Sequence, residues 1–231
     1  MDVKIYDRLA KKYDLATKIV SFGIEELWRF MFVKEIRKHI KNGSLIDVAS
    51  ATGEMAFKLY FDEMYLIEPS PEMNTIAKSK FNGKWKMENG KWVSEGNKKI
   101  VIIEDTAENF KLEKKVDLVT AFMAIRNFDD LHKGMENLKN HVKPGGYFAI
   151  VEMVKNDTLL AKLILWYMNK IVPLIAGAML GMKEEYKLLG KSIDSLSEEE
   201  IVDNLKGFSI VKKQKLIFPI ATLIIAKRDD G

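Results

Sequence analysis

Four short stretches of this chain place binding or reactive residue types just where an apolar run gives way to polar residues. Asp47-Val48-Ala49-Ser50-Ala51-Thr52-Gly53-Glu54 has the small residues of a tight strand-to-helix turn. Such a turn aims backbone N–H groups at a bound carboxylate or phosphate. Glu68 follows 21 residues after Asp47, a spacing at which a carboxylate accepts hydrogen bonds from both hydroxyls of a ribose. The plainer reading of Glu68 is an exposed loop acid. Glu104-Asp105-Thr106-Ala107-Glu108 offers polar groups to an adenine edge. In Ala121-Phe122-Met123-Ala124-Ile125-Arg126-Asn127 a cation directly follows a hydrophobic run. Arg126 must find a ligand or a structural partner such as Asp129 or Asp130, because a buried, unpaired charge is costly. Together the four stretches describe an adenosine-type site.

The elements that must carry these loops are legible in the hydrophobic spacing. Residues 5–41 read as helices broken at Ser21-Phe22-Gly23, with apolar residues recurring every three or four positions. The runs SLIDVAS, MYLIEPS, KIVIIED, VDLVTAFMAI and YFAIVEMV read as five strands. Between them MAFKLYFDE, SPEMNTIAKSKF and LHKGMENLKNHV read as helices. Ser70 is placed to cap the second of these and Pro71 to open it. That alternation predicts a doubly wound, mostly parallel α/β sheet. GFSIVKKQKLIFPIATLIIAKR adds two strands with no helix between them, so the expected seven-stranded sheet ends in an antiparallel pair. Asn89-Gly90 marks a surface hairpin inserted at residues 84–93. In such a sheet, ligands bind outside the carboxyl ends of the strands at the switch in strand order, where all four loops fall.

Composition narrows the functions open to this fold. The 231 residues suit a single domain with a helical N-terminal cap (1–41) and a second helical cap (156–200). The absence of cysteine excludes disulfides, thiolate metal sites and a Cys nucleophile. His39, His132 and His141 are scattered, and no metal site is expected. The net charge of +4 is spread along the chain, so nucleic acid is not implied. MDVKIYDRLAKKYD lacks the apolar core of a secretory signal, and the cytoplasm is the expected location. Residues 159–182 are the most apolar stretch but carry Lys162, Asn169, Lys170 and Pro173. They read as core or cap helices, as a lid over an apolar ligand, or as a site of peripheral membrane contact, rather than as a spanning helix.

Taken along its length, the chain resembles the class I S-adenosylmethionine-dependent methyltransferases, and within them the ubiquinone/menaquinone biosynthesis C-methyltransferases. The N-terminal signature of that family is matched by Tyr13, Asp14, Val20, Ser21 and Trp28, with Ala16, Thr17 and Glu25 standing where its Met, Asn and His would be. Ala121, Phe122, Arg126 and Asn127 match the segment after its fourth strand. Val142 through Gly146 and Glu152 match its late signature. Trp166-Tyr167, Pro173, Gly177, Tyr186, Leu189, Ser192-Ile193 and Gly207-Phe208 are similar to its C-terminal half.

The resemblance implies a Rossmann-like fold and S-adenosyl-L-methionine as cofactor, held by Asp47, Ala49, Ala51, Thr52, Gly53, Glu68, Asp105, Thr106, Ala107, Ala121 and Phe122. It implies C-methylation of a prenylated hydroquinone or related aromatic, whose deprotonated ring attacks the sulfonium methyl in line. Arg126 and Asn127 are then the catalytic candidates, holding the phenolate and guiding a water that takes its proton. Tyr13 and Tyr186 are candidates on the substrate side, with ordinary packing as their competing role. Two departures stand out. Ser50 and Ala51 replace two glycines of the first loop and Glu54 its last acid, so a Cβ is expected to crowd the cofactor or strain the turn. Thr106-Ala107-Glu108 lacks the family's following Leu-Pro-Phe, and Asp105 is placed to replace a missing Asn or Asp. The alternatives are methyl transfer to oxygen or nitrogen of another small molecule, and a non-catalytic paralogue with weakened cofactor binding. A dehydrogenase has little support, since G-x-G-x-x-G is absent after the first strand.

Overall fold

The computed structural model describes residues 7–8, 10, 13–81, 85–88, 91–94, 98–181, 183–184, 186–187, 196–217 and 220–230. Helices α1 (Tyr13–Val20) and α2 (Ile24–His39) break at the expected tripeptide. On α2, Trp28, Phe32 and Ile36 recur every fourth residue and are buried, which seats one stripe of the helix on the sheet. The alternation then runs β1 (Ser44–Val48), α3 (Glu54–Leu59), β2 (Glu63–Ile67), α4 (Pro71–Phe81), β3 (Trp85–Glu88), β4 (Lys91–Ser94), β5 (Lys99–Ile103) and β6 (Val116–Phe122). It continues through α5 (Leu131–Asn140), β7 (Val142–Met153), α6 (Leu159–Lys170), α7 (Val172–Leu180), α8 (Glu198–Asp203), β8 (Phe208–Lys215) and β9 (Ala221–Arg228). Ser70 caps α4 by accepting the Met73 N–H at 3.1 Å, with Pro71 at the first helical position.

The strands form one sheet in the order β3-β4-β5-β2-β1-β6-β7-β9-β8. Strands β5, β2, β1, β6 and β7 pair in parallel, and β9 and β8 complete one edge antiparallel. Helices cover both faces of the parallel part, so β1 is buried at every position instead of alternating. The count is nine rather than seven because the hairpin is not a free surface insertion. Its second strand, β4, pairs with β5, and Trp85 of β3 is buried edge-on against Phe81. The Asn89-Gly90 turn lies outside the described residues, as do Leu189 and Ser192-Ile193.

Two buried clusters, one on each face, hold the sheet between its helices. A third joins Val20 of α1, Met73 of α4, Val172 and Ala176 of α7, and Tyr186, so the N-terminal and late helices close over the sheet as one cap. Connections leave β1 in one direction toward β2 and β5 and in the other toward β6 and β7. The cleft opened by that reversal, at the carboxyl ends of β1 and β6, lies directly under the cap.

Candidate active site

The loop after β1 is held by an unusual backbone. Among the described residues, five non-glycines have a positive φ, and four of them, Phe22, Ala49, Ala51 and Met123, line the same cavity under the cap. Such conformations cost free energy and persist where the surroundings over-determine them, commonly at functional sites. Of the two positions where the family carries glycine, only Ala51 is left-handed, at φ 48°. The expected strain therefore falls on Ala51, not on Ser50. A left-handed non-glycine residue costs about 1–2 kcal/mol, against which glycine's greater unfolded freedom weighs about 0.4–1 kcal/mol. Ala51→Gly is therefore expected to raise stability by about 0.5–1 kcal/mol, read as a higher urea midpoint at constant m-value. A lower midpoint would mean that the methyl of Ala51, packed against the cap cluster, outweighs its backbone strain.

The cavity has a volume of about 400 Å³, within the range of small-molecule sites. Asp47, Ala49, Ala51, Glu68, Asp105, Thr106, Ala107 and Phe122 line it, as do Arg126, Asn127, Tyr13 and Tyr186. Thr52, Gly53 and Ala121 stand behind its wall. The Thr52 hydroxyl donates to Asp14 at 2.7 Å, and the Lys80 ammonium binds Asp14, Glu54 and the Thr52 oxygen at 2.6–2.8 Å. This knot ties α1 to the loop after β1, and it holds the Asp14 carboxyl below its usual range even though burial pushes the other way. Gly53 has φ 78°, and a Cβ there would come within 3.3 Å of the Phe81 ring, so it serves the turn. Ala121 is packed in the cluster around β6.

Five buried polar atoms in the wall have no hydrogen-bond partner: Asp47 Oδ2, Ser50 Oγ, Thr106 Oγ1, Ser21 Oγ and the Tyr167 hydroxyl. Each such group costs about 1–3 kcal/mol unless something satisfies it, and five of them fall in residues around one cavity. Asp47, Ser50 and Thr106 lie at the strand ends, while Ser21 and Tyr167 belong to the cap. The other oxygen of Asp47 accepts from the Thr120 hydroxyl at 2.7 Å. Burial pushes the Asp47 carboxyl up to about 7, against the pull of Thr120 and of the Arg29 charge.

Glu68 is buried rather than an exposed loop acid. It accepts the N–H groups of Ala51 and Ser70, each at 2.9 Å, and burial still raises it to about 7. It thus pins the β1 loop to the β2 loop, with its carboxylate at the cavity wall. Asp105 turns back to accept the Thr106 N–H at 2.8 Å, which fixes that loop, and the buried hydroxyl of Thr106, a residue that lines the cavity, has no partner.

Arg126 has a structural partner, Glu152. Its guanidinium meets Glu152 at the end of β7, a side chain fully shielded from solvent, and the Arg126 N–H donates to the same carboxylate at 3.2 Å. The strand register explains the pairing: Phe122 sits opposite Val151, so Glu152 arrives beside the turn that follows β6. A lone charged residue in the apolar run Ala149-Ile150-Val151-Glu152-Met153 was the available signal. Arg29 and Glu25 of α2 also line the cavity as an ion pair, with the Arg29 guanidinium 4.8 Å above the Phe122 ring. Burial works against the Arg29 charge, but Glu25 outweighs it and the pKa rises. Burial, with the charge of Glu25, also raises the Tyr186 phenol, which packs in the cap cluster.

This combination suits a cofactor with a cationic end, hydroxyls and an adenine. Asp47 Oδ2 and the Ser50 and Thr106 hydroxyls are buried and without partners, in residues that line the cavity. Residues 2–228 match the ubiE/COQ5 methyltransferase family. The demethylmenaquinone methyltransferase of Chlorobaculum tepidum is 27% identical over 235 residues, covering 97% of this chain and 90% of that one. The ubiquinone/menaquinone biosynthesis C-methyltransferase UbiE of Campylobacter jejuni is 26% identical over 243 residues, covering 98% and 97%. Among solved structures, a SAM-dependent methyltransferase from Thermotoga maritima superposes with TM-score 0.66 at 17% identity, over 98% of this chain and 99% of that one. An S-adenosylmethionine-dependent methyltransferase from Clostridium acetobutylicum superposes with TM-score 0.64 at 14% identity, over 95% and 98%. At these identities the superpositions speak to fold alone.

Proposed function

The chain belongs to the ubiE/COQ5 methyltransferase family, and from that premise we propose that it methylates a ring carbon of a reduced, prenylated quinone. It is an S-adenosylmethionine-dependent enzyme. The observation that carries the choice of substrate is the division of the cavity. Its strand-end wall is polar and unsatisfied, whereas much of its cap wall is apolar, from Val20, Phe22, Ile164, Met168 and Val172, with the paired Glu25 and Arg29, Thr17, Tyr13 and Tyr186 beside them and the buried Ser21 and Tyr167 hydroxyls without partners. A largely apolar chamber with a few polar groups at its edge suits an aromatic ring that bears oxygens and an isoprenoid tail.

When bound, S-adenosylmethionine supplies a methyl group made electrophilic by its sulfonium. Asp47, Ser50 and Thr106 would hold its polar groups, and Glu68 fixes the two loops they stand on. The Arg126 guanidinium, anchored by Glu152, favours the phenolate over the phenol at the substrate oxygen, and Asn127 in the same turn positions it. A phenolate makes its ring carbon nucleophilic, and the hydrogen that the methyl replaces leaves as a proton to water as the ring regains aromaticity, so no covalent link to the protein is needed. The cap excludes water, which strengthens the Arg126 charge and protects the reacting atoms. Tyr13 and Tyr186 shape the substrate side of the wall.

The test is a methylation assay on demethylated hydroquinones that differ only in the number of isoprene units. We expect kcat/KM to climb at least about tenfold from the tail-less ring to the first prenylated ones, the ratio that ~1.4 kcal/mol of apolar burial provides. Equal or faster methylation of small soluble phenols or amines would instead assign the protein to another substrate class.

A further inference from the structure

Helix α6 is apolar on both sides. Ala161, Ile164 and Met168 face inward, the last two onto the cavity. On the opposite side Leu159, Leu163 and Trp166 form one stripe at helical spacing, Leu159 86% exposed and Trp166 55%. Leu160 beside the stripe and Leu174 on α7 are exposed as well. Phe22, 73% exposed, reaches the same region, its ring centroid 6.3 Å from that of Tyr167. A helix facing water ordinarily carries polar residues on its outer side, and a contiguous exposed apolar patch marks an interaction surface.

Charge narrows the partner. Residues 158–181 contain no Asp or Glu, and their two cations, Lys162 and Lys170, are both exposed near that stripe. Lys155 and Asp157 just before α6 offset one another, and exposed Lys18 on α1, which packs against α7, adds a further positive charge. Leu and Trp flanked by lysines are what an interfacial helix presents to anionic headgroups. Leu159–Ala178 is long and apolar enough to cross a membrane by length and composition, with 22% of its most apolar window buried. Crossing would drag Lys162, Lys170 and the cavity wall into lipid, whereas lying on the surface immerses only the outer stripe.

We propose that the outer face of α6, with Phe22 and Leu174, docks on an anionic lipid bilayer, so that the wall of the cavity is also the face that meets the membrane. This goes beyond the substrate assignment, and its test uses no substrate. The full chain is sedimented with vesicles of phosphatidylcholine alone and of phosphatidylcholine mixed with phosphatidylglycerol. Binding to the anionic vesicles is expected, weakened by salt and accompanied by a blue shift in tryptophan emission. Leu159→Ser/Leu163→Ser/Trp166→Ser is expected to lower that binding at least about tenfold, the loss that ~1.4 kcal/mol represents, with S-adenosylmethionine affinity unchanged as the sign of an intact fold. Lys162→Gln/Lys170→Gln is expected to remove the preference for anionic lipid. Absence of wild-type binding to either vesicle, or a triple variant that binds as well as wild type, overturns the proposal. So does a protein that is dimeric in solution and becomes monomeric in the triple variant, because the stripe would then be covered by a second copy.

Discussion

Arg126→Ala is expected to lower kcat by two to three orders of magnitude, a loss of about 3–4 kcal/mol of transition-state stabilisation comparable to removing a donor from an oxyanion site. The affinity for S-adenosylmethionine is expected to change little, because the candidate cofactor acceptors lie on other loops. The pairing with Glu152 makes the single variant ambiguous by itself. It leaves a fully shielded carboxylate without its counter-charge, and breaking a buried pair from one side costs about 3–5 kcal/mol. For a chain of this size that is a fall in Tm of roughly 6–20 °C. Lost turnover could therefore reflect a loosened site. The double variant Arg126→Ala/Glu152→Gln separates the two effects. With the carboxylate neutralised and one acceptor oxygen kept for either the Arg126 or the Met153 N–H, which donate to different oxygens of Glu152, part of the stability should return. Turnover should stay low, because the cation that steadies the phenolate is still missing. A double variant that recovers both would show that Arg126 acts only through the structure.

That pair also shows where sequence reading succeeds and where it stops. The spacing of apolar residues located every strand of the parallel sheet and the helices between them, because a strand buried on both faces reads as an unbroken apolar run. Ser70 and Pro71 were legible as a helix start because capping is local chemistry. The four loops were legible because their place at strand ends follows from topology. Partners across the sheet were not. Glu152 lies 26 positions from Arg126 and meets it through the register of β6 with β7, whereas Asp129 and Asp130 stand out in the sequence because they are near it. Arg29 and Glu25 were not legible as residues of the site for a related reason: the periodicity of α2 predicts a buried stripe, but not that the edge of the stripe borders a cavity. The hairpin was visible as Asn-Gly between short runs, but the pairing of its second strand with β5 and the contact of Trp85 with the ring of Phe81 were not.

Asp47 carries the second large expectation, a proton linked to cofactor binding. Its carboxyl titrates near 7 in the folded protein against an ordinary value of 3.8. Between those values the native state holds a proton that the unfolded chain has lost, so this group makes stability fall as pH rises from about 4 to 7 and contributes no further change above. Glu68, also raised to about 7, acts in the same direction from its ordinary 4.5. A cationic group seated against the unpaired Oδ2 of Asp47 reverses the preference, since an adjacent positive charge favours the ionised form. S-adenosylmethionine should therefore bind with release of a proton below pH 7, and its affinity should rise as pH increases toward 7 and then level off. Calorimetry at pH 6.5 in two buffers of different ionisation enthalpy reads that release directly. Asp47→Asn should keep the acceptor for Thr120 but lose the charge. It is expected to weaken cofactor binding by about 10- to 100-fold, the worth of a charge-assisted hydrogen bond, to reduce proton release, and to raise the stability of the free protein at pH 8. Glu68→Gln is the control for any remaining release. Wild-type affinity that stays flat from pH 5.5 to 8 would place the cationic end of the cofactor away from Asp47 and leave its orphaned oxygen to another ligand.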